Sequence, residues 1–451
     1  PFLAQACSAV APRAPADLPL RTLATACGPA RAGSALAAGR RPAAECSKSL
    51  CGGGSSGSGW PQRCPRRRFV AAAATEMADA DGVENVAATG REGSSSSGRL
   101  RWAMNSAKWQ PADEHQGVEF RFLLGLIREK DDREQVLKFV RFVDKKRALI
   151  SRLLVRQASA VVLGLSSFSD LEIARTKGKK PFLKAPRPGP ERADLANFNF
   201  SVSHEGDWVI LASEPLCVCG TDVAAPQEVR PGAGAARDVF RDLEDQLTPS
   251  EWAFVKAEER RGPSQVAAAS PEGGGGEPRL SGGAVEPEED PAYGAFQRHW
   301  CCKEAFVKAR GDGLEFPFNR IEFSLLPAAE HDAAVRASGG RPPPGFAARV
   351  DGVDIGPRWR FFQHRLGGQH WAAVARGPTG EVVDAQGEFR RTLVRPTDAF
   401  APLDWRRELD FEEPPFTVVP VAFLVPPDDA EAYAQAAGSP HTAPAAPPSE
   451  G

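Results

Sequence analysis

The clearest alternation of hydrophobic and polar positions lies in the middle of the chain. Residues 198–202 alternate with a period of two, which is the pattern of a half-buried strand. Residues 208–212 and 218–223 predict two further strands. The segment 203–207 contains Gly and Asp and is predicted to form the turn between the first two strands.

The same pattern predicts the elements on either side. Further strands are predicted over 101–104, 118–124, 321–325, 359–363, 370–375 and 416–424. A second sheet is predicted from three of them, 321–325, 359–363 and 370–375. Apolar residues at steps of three and four predict two helices within 130–165, with a break near Asp144. Thr248, Pro249 and Glu251 are typical of a helix start, in which the acid completes a capping box.

A central helix is predicted to begin by Trp300 and to end at Gly311 and Gly313. Trp300, Glu304 and Lys308 follow one another at steps of four, so they share one face of that helix. A carboxylate and an ammonium at this spacing often form only a surface pair worth about 0.2–0.5 kcal/mol. Any larger role depends on the rest of the chain.

Composition excludes several classes of function. The chain has 451 residues, of which 42% are hydrophobic and 25% charged, which is ordinary for a globular protein of two or three domains. A formal net charge of −2 gives no overall attraction to nucleic acid or to an anionic membrane. No apolar run reaches the roughly 18 residues that a membrane-spanning helix needs.

The first 76 residues differ from the rest. They contain nine Arg and one Lys against three acidic residues, and they are rich in Ala, Gly, Ser and Pro. This composition is typical of an organellar transit peptide. An equal alternative is that translation starts at Met77 and that the upstream part is not protein. A basic nucleic-acid arm is a weaker alternative, because aromatic residues for base stacking are not interleaved with the cations. Residues 1–99 are predicted to be a disordered leader.

Two other segments are predicted to lack stable structure. Residues 261–291 form an insertion rich in Gly, Pro and Glu, and residues 378–451 form a Pro-rich, mostly disordered tail. The body of the chain has cysteines at 217, 219, 301 and 302, and their spacing is not that of a zinc knuckle. We expect these cysteines to be buried and reduced.

Three features suggest chemistry, and each has a simpler explanation. The basic loop Arg175–Lys180 could clamp phosphate groups or could be a solvated run of charge. His204, beside Ser203, could donate to a phosphate, although a lone His is more often structural. Asp222, near the end of a predicted strand, could hold Mg²⁺ or could cap a turn.

Three motifs occur in a fixed order: Asn199–Gly206 (NFSVSHEG), Gly220–Asp222 (GTD) and Trp300–Lys308 (WCCKEAFVK). In this order, and preceded by the basic stretch that begins at Arg175, they resemble the 4′-phosphopantetheinyl transferases. More narrowly, the chain resembles the Sfp-type enzymes and their eukaryotic members, the L-aminoadipate-semialdehyde dehydrogenase-phosphopantetheinyl transferases. The resemblance covers about residues 101–376.

The resemblance implies an α+β fold of two similar α/β subdomains, related by a pseudo-twofold axis, with the active site at their junction. The subdomains would be 100–217 and 218–377. The implied activity is that of a holo-[acyl-carrier-protein] synthase. Such an enzyme moves the 4′-phosphopantetheine arm of coenzyme A to a Ser of an apo acyl or peptidyl carrier protein, and adenosine 3′,5′-bisphosphate leaves. Mg²⁺ would be the cofactor, and the pathways served would be fatty acid, polyketide or aminoadipate-dependent lysine biosynthesis.

The resemblance also assigns residues. Asp222 and Glu304 match the Mg²⁺ ligands, and Glu304 is also expected to be the general base for the carrier Ser, directly or through water. Lys308 matches the Lys that contacts the phosphates and stabilises the leaving group. His204 is expected to donate to a phosphate and not to act as the base. The implied coenzyme A-binding residues are Arg175, Thr176, Lys177, Gly178, Lys179, Ser201, Ser203, His204 and Lys308.

One position departs from the family pattern. Many bacterial members have a second acid two residues after the Asp, where this chain has Ala224. The eukaryotic branch also tends to lack that acid, which favours the branch assignment. The alternative function is a non-catalytic module that binds coenzyme A or a carrier protein.

The expected partners are coenzyme A and an apo carrier protein or carrier domain, with no nucleic acid or membrane partner. We expect a monomer. The expected compartment is the cytoplasm, or a plastid or mitochondrion if the first 76 residues are a translated transit peptide. The sequence leaves open which carrier is the substrate.

Overall fold

A computed structural model describes the following parts of the chain: residues 98–226, 236–262, 290–313, 315–343, 345–367 and 369–438. The predicted leader up to residue 97, the insertion from 263 to 289, and residues 439–451 lie outside the described residues. The predictions of disorder there, and the compartment that depends on the leader, therefore stay predictions.

The described helices are α1 (Val118–Gly125), α2 (Lys130–Leu137), α3 (Phe142–Leu163), α4 (Ala236–Asp242), α5 (Pro249–Arg261), α6 (Pro291–Arg310), α7 (Ala328–Ala337), α8 (Pro402–Leu409) and α9 (Ala430–Ala437). The described strands are β1 (Arg101–Asn105), β2 (Glu172–Arg175), β3 (Pro181–Ala185), β4 (Asn199–Glu205), β5 (Trp208–Glu214), β6 (Val218–Ala224), β7 (Ile321–Ser324), β8 (Ala347–Val350), β9 (Val353–Asp354), β10 (Arg360–Leu366), β11 (His370–Gly377) and β12 (Thr417–Val418). The predicted mixture of helices and sheets is confirmed. None of these helices has both the length and the apolar character that crossing a membrane requires.

The strands form two main sheets. One has the order β12-β1-β5-β4, in which β1, β5 and β4 are antiparallel neighbours and β12 runs parallel to β1. The other is the antiparallel sheet β10-β11-β6. Two smaller sheets are the hairpin β2-β3 and the meander β7-β8-β9. A pseudo-twofold relation between residues 100–217 and 218–377 stays a prediction.

A long helix belongs to each main sheet. Helix α3 has its apolar residues at steps of three and four, and its buried Leu149 and Leu153 share one core with Phe200 and Leu211 of the first sheet. Helix α6 begins at the cap residue Asp290, whose side chain accepts from two main-chain N–H groups. Its buried residues share a second core with strands β6, β10 and β11. These two helices position the groups described below.

The structure corrects two predictions in the first half. Residues 118–124, predicted as a strand, form helix α1, in which Phe120, Leu123 and Leu124 are buried at helical spacing. So short a run fits both the two-residue period of a strand and the 3.6-residue period of a helix. Packing of the apolar residues in the core favours the helix. The break in the predicted helical segment lies at 138–141 and not near Asp144, which belongs to the first turn of α3.

The structure also corrects three predictions in the second half. The strand at residues 321–325 pairs with β8 and not with the sheet of β10 and β11. The tail is not mostly disordered between 378 and 438, where α8, β12 and α9 are joined by short 3₁₀ turns. The strand predicted at 416–424 shortens to β12, because Pro420 lacks the N–H that a continued ladder needs.

A buried ion-pair network joins the tail to both main sheets. Arg101 of β1 and Arg376 of β11 are fully buried, and each pairs with both Glu214 of β5 and Glu413 of the tail. The Arg376 Nε atom lies 2.7 Å from Glu214. A buried guanidinium needs a carboxylate partner. The sheets supply Glu214 for the two guanidinium groups, and the tail supplies the second carboxylate, Glu413.

Candidate active site

Strand β6 and helix α6 touch, and Gly220 permits their close approach. A Cβ atom built on Gly220 would lie 1.9 Å from the carbonyl oxygen of Ala305. Residues two apart in a strand point to the same face, so Asp222 also faces this helix. The contact brings Asp222 to the face of α6 that carries Glu304 and Lys308.

Ser203, Asp222 and Lys308 form a closed set of hydrogen bonds. The Ser203 hydroxyl donates to Asp222 Oδ1 over 2.7 Å, and Lys308 Nζ donates to the same oxygen over 2.5 Å. Lys308 Nζ also lies 2.9 Å from the Ser203 hydroxyl oxygen, to which it donates. One residue from β4, one from β6 and one from α6 therefore meet at a single point.

Glu304 lies one helical turn before Lys308 and is only 4% exposed. Burial raises the pKa of Glu304 to about 7, and the negative charge of Asp222 adds to the rise. The Lys308 ammonium acts in the opposite direction. A carboxyl group with a pKa near 7 can accept a proton at neutral pH, as a general base must.

The oxygen donors at this point fit a hard divalent cation. Asp222 and Glu304 offer carboxylate oxygens, which Mg²⁺ prefers, and their repulsion would be relieved by a cation between them. Among the described residues, no three His, Cys, Asp or Glu side chains are grouped closely enough to hold a metal ion by themselves. Water or substrate oxygens would have to complete a six-coordinate shell.

Glu205 is a third acid near this point, and the sequence reasoning missed it. Its Oε2 atom accepts from the main-chain N–H of Ala225 over 3.1 Å, next to the position where Ala224 replaces an acid. The negative charge of Glu205 also contributes to the raised pKa of Glu304. The sequence signal was its place directly after His204 in the first motif, Asn199–Gly206.

The predicted phosphate loop, Arg175–Lys179, is the tip of the β2-β3 hairpin and lies against the end of α6. A Cβ atom on Gly178 would lie 2.6 Å from the carbonyl oxygen of Gly311, which ends that helix. Thr176 is buried, and its hydroxyl accepts from the Lys180 N–H. The structure therefore brings the loop to the helix end that carries Lys308.

The charged side chains of this loop differ in how firmly they are held. Arg175 lies 3.7 Å from Asp132, whose side chain is 11% exposed, so this pair is partly buried. Lys177 lies 3.9 Å from Glu315, and both of these side chains are exposed. An exposed pair contributes little, with a typical value of about 0–1 kcal/mol. Lys177 can therefore turn to another anion at small cost.

Lys180 directly follows the loop and anchors it to strand β6 and helix α6. Its ammonium is buried and donates to the carbonyl oxygens of Cys219, over 2.7 Å, and of Lys308, over 2.9 Å. Burial lowers the pKa of Lys180 to about 8. Sequence reasoning counted Lys180 among the cations of the loop but did not distinguish this inward-pointing ammonium from its exposed neighbours.

Ser203 and His204 belong to strand β4, whereas the sequence placed them in the turn, which comprises Gly206 and Asp207. Because side chains alternate along a strand, Ser203 and His204 point to opposite faces. Ser201 shares the face of Ser203 and is buried. Burial, with the positive charge of Lys308, lowers the pKa of His204, so its ring is neutral near pH 7.

The other conspicuous residues of the α6 motif are structural. Trp300 packs edge-on against Phe318, with ring centroids 5.1 Å apart. Cys301 and Cys302 are buried and reduced, and so are Cys217 and Cys219, as predicted. Burial raises the pKa of the Cys217 thiol well above its usual range, which makes it unreactive.

Two family models match the chain on either side of residue 217. A model described as 4′-phosphopantetheinyl transferase, N-terminal, matches residues 107–216. A model described as the 4′-phosphopantetheinyl transferase superfamily matches residues 219–338. The chain belongs to the 4′-phosphopantetheinyl transferases, as the order of its motifs indicated.

The chain is also similar in sequence to individual phosphopantetheinyl transferases. The chain is 27% identical over 282 residues to the L-aminoadipate-semialdehyde dehydrogenase-phosphopantetheinyl transferase of Mus musculus, covering 62% of this chain and 76% of the relative. It is 30% identical over 224 residues to a phosphopantetheinyl transferase of Thraustochytrium, covering 50% and 65%. It is 24% identical over 211 residues to the 4′-phosphopantetheinyl transferase of Bacillus subtilis, covering 46% and 70%. The chain thus spans just under two thirds of the length of the Thraustochytrium relative.

Proposed function

We propose that this protein transfers the 4′-phosphopantetheine arm of coenzyme A to a Ser of an apo carrier protein and releases adenosine 3′,5′-bisphosphate. The observation that supports this best is the meeting of Ser203, Asp222 and Lys308 beside a buried Glu304 whose pKa is raised to about 7. That set combines a proton acceptor, a cation and oxygen ligands at one point, as a phosphoryl transfer requires.

In the proposed reaction, the carrier Ser hydroxyl attacks the phosphorus atom that bears the pantetheine arm. The new bond joins that phosphorus to the Ser oxygen, and the bond to the bridging oxygen of the pyrophosphate breaks. Glu304 takes the hydroxyl proton, directly or through water. Lys308 stabilises the negative charge on the departing adenosine 3′,5′-bisphosphate.

Asp222 and Glu304 are proposed to hold Mg²⁺, and the negative charge of Glu205 acts on the same point. The ion, when bound, neutralises charge on the pyrophosphate oxygens. Lys308, whose ammonium donates to Asp222, is proposed to contact the phosphates of coenzyme A from the same face of α6.

The hairpin tip is proposed to bind the other phosphates of coenzyme A, notably the 3′-phosphate. Arg175, Lys177 and Lys179 supply cations, and Gly178 and Thr176 supply main-chain and hydroxyl donors. Ser201 and His204 are also proposed to contact coenzyme A, from the two opposite faces of β4. The exposed Lys177 supports this role, because its pair with Glu315 is weak.

The alternative is a binding module that holds coenzyme A or a carrier protein without transfer. Its support is the lack of an acid at Ala224. Binding of coenzyme A that does not depend on Mg²⁺ and that gives no product would favour this alternative. The raised pKa of Glu304 favours the enzyme, because a buried carboxyl costs stability that a pure binding site does not need.

The direct test is incubation of the protein with coenzyme A, Mg²⁺ and an apo carrier protein, followed by mass spectrometry of the carrier. We expect the carrier to gain one phosphopantetheine arm and the product adenosine 3′,5′-bisphosphate to appear in equal amount. No gain with any of several apo carriers would reject the proposal. The relatives named for L-aminoadipate-semialdehyde dehydrogenase make the carrier domain of such an enzyme the first one to try.

Two variants test the site itself. Asp222→Ala and Glu304→Ala are each expected to abolish turnover, whereas Glu330→Ala, on the exposed surface of α7, is expected to leave the rate unchanged. A near wild-type rate in either of the first two variants would show that the residue assignment is wrong. Removal of Mg²⁺ with a chelator should stop the wild-type reaction and leave the fold intact.

A further inference from the structure

Lys303 precedes the proposed base in the chain, and its position suggests a phosphate contact. The structure places it elsewhere. Lys303 is 0% exposed. Its ammonium lies 2.7 Å from Glu251 Oε2 and donates to the carbonyl oxygens of Phe318, over 2.8 Å, and Ile321, over 2.5 Å. An ammonium has three N–H donors, so none remains for a substrate.

Glu251 is equally occupied. It is fully buried in the first turn of α5, and its carboxylate accepts from the main-chain N–H groups of Thr248 and Phe323, each over 2.9 Å. Its Oε1 atom lies 3.4 Å from the ring of His299 on α6. The Glu251 carboxylate thus caps α5, accepts a hydrogen bond from strand β7 and pairs with Lys303 of α6.

These contacts hold α6 from the side opposite to β6. Adjacent residues in a helix are about 100° apart, so Lys303 faces α5 and β7 while Glu304 faces Asp222. On the β6 side the helix rests against Gly220. Helices α5 and α6 are separated in the chain by the insertion, so the Glu251–Lys303 pair is a direct link across it.

We propose that Lys303 and Glu251 are positioning residues, which set the place of Glu304 and Lys308 in the active site without touching substrate. This inference rests on the proposed transferase function for its kinetic consequence. The structural part, that Lys303 binds Glu251 and not coenzyme A, can be tested without turnover.

The test compares two Lys→Met variants on the same helix. In Lys303→Met, we expect the melting temperature to fall and kcat per folded molecule to fall about tenfold or more, with the Kd for coenzyme A within about threefold of wild type. In Lys308→Met, we expect the Kd for coenzyme A to rise about tenfold or more, and we expect the melting temperature to fall as well because the buried Asp222 loses its cation. Lys256→Met, an exposed position on α5, is the neutral control.

A double variant keeps the test decisive if Lys303→Met folds poorly. Glu251→Gln also removes one of the two oxygens that accept from the Thr248 and Phe323 N–H groups, so this variant is measured alone as well as combined with Lys303→Met. We expect the double variant to lose less stability than the sum of the two single losses, because both partners of the pair are then absent. Additive losses would overturn the pairing. Weakened coenzyme A binding in Lys303→Met, equal to that in Lys308→Met, would overturn the assignment as a positioning residue.

Two further outcomes separate this inference from the proposed function. An unchanged kcat per folded molecule in Lys303→Met would show that the pair only stabilises the fold, and the positioning role would be wrong. If wild-type protein transfers nothing, the proposed function fails. The melting temperatures and coenzyme A affinities then still decide whether Lys303 binds Glu251 or substrate.

Discussion

The main chain of Gly220 in β6 lies against the carbonyl oxygen of Ala305 in α6, so closely that a Cβ atom on Gly220 would be 1.9 Å from that oxygen. No rotation of a side chain can relieve such a contact, because both partners are main-chain atoms. Gly220→Ala is therefore expected to force α6 away from β6 and to cost about 2–3 kcal/mol of unfolding free energy. Denaturant unfolding measures the loss, and the transfer assay should show a large fall in kcat.

Gly125→Ala is the matched control for this change. It lies at the end of α1, and a Cβ atom there would meet nothing within 4 Å. Because Ala is favoured over Gly in a helix, we expect this variant to be neutral or more stable by up to about 1 kcal/mol. If Gly220→Ala is as stable and as active as Gly125→Ala, the proposed close contact does not position the site.

The second prediction is that Glu304→Gln makes the metal-free protein more stable while it abolishes transfer. The pKa of Glu304 is raised to about 7 by burial and by Asp222, so above pH 7 the protein carries a buried charge that costs stability. A raised carboxyl pKa means that stability falls as the pH rises from about 4.5 to 7. The gain in melting temperature should thus be larger at pH 8 than at pH 6, measured in the presence of a chelator.

Glu315→Gln provides the comparison for this pH effect, because Glu315 is 78% exposed. Its melting temperature should follow that of wild type at both pH values. A Glu304→Gln variant that is less stable than wild type at pH 8, or whose gain is equal at both pH values, would contradict the raised pKa.

Helical spacing alone placed Glu304 and Lys308 on one face of a helix. The structure pairs Lys308 with Asp222, a contact that the sequence did not predict. The link between them depends on Gly220, whose role as a close contact leaves no periodic signal in the chain. Glu205 was missed for a similar reason: its carboxylate reaches the site only because β4 lies beside β6.

The errors in the fold have a common physical cause. Residues 118–124 fit the period of a strand as well as that of a helix, and only packing in the core decides between them. The prediction for the tail rested on its Pro content, whereas in the structure Glu413 of the tail is 3% exposed and pairs with two buried guanidinium groups. Composition does not reveal a partner that is distant in sequence.

The third prediction concerns that tail. Glu413→Gln leaves the buried cations Arg101 and Arg376 with Glu214 as their one remaining shared carboxylate, so we expect a loss of about 3–5 kcal/mol of unfolding free energy. The neighbouring variant Glu412→Gln is the control. Glu412 is 58% exposed, and its ion-pair partner within the described part of the chain is the exposed Arg341, so the loss should be about 0–1 kcal/mol. Equal stability of the two variants, by denaturant unfolding, would show that the network does not need the tail.

The last prediction is the acid sensitivity of the same network. Although burial acts to raise it, the pKa of Glu214 is lowered to about 2 by Arg376, Arg99 and Arg101, and the pKa of Glu413 is lowered in the same way. A carboxyl whose pKa is depressed in the folded state adds stability that is complete above its unfolded pKa of about 4.3 and is lost as the pH falls through the folded value.

Wild-type unfolding free energy should therefore fall steeply between about pH 4.5 and pH 2. Glu413→Gln removes one of the two depressed carboxyl groups, so its unfolding free energy should start lower and fall less steeply over the same range. Glu412→Gln should keep the wild-type slope. Denaturant titrations at half-unit pH steps measure these slopes, and a Glu413→Gln slope equal to that of wild type would mean that Glu413 does not hold its charge against Arg101 and Arg376.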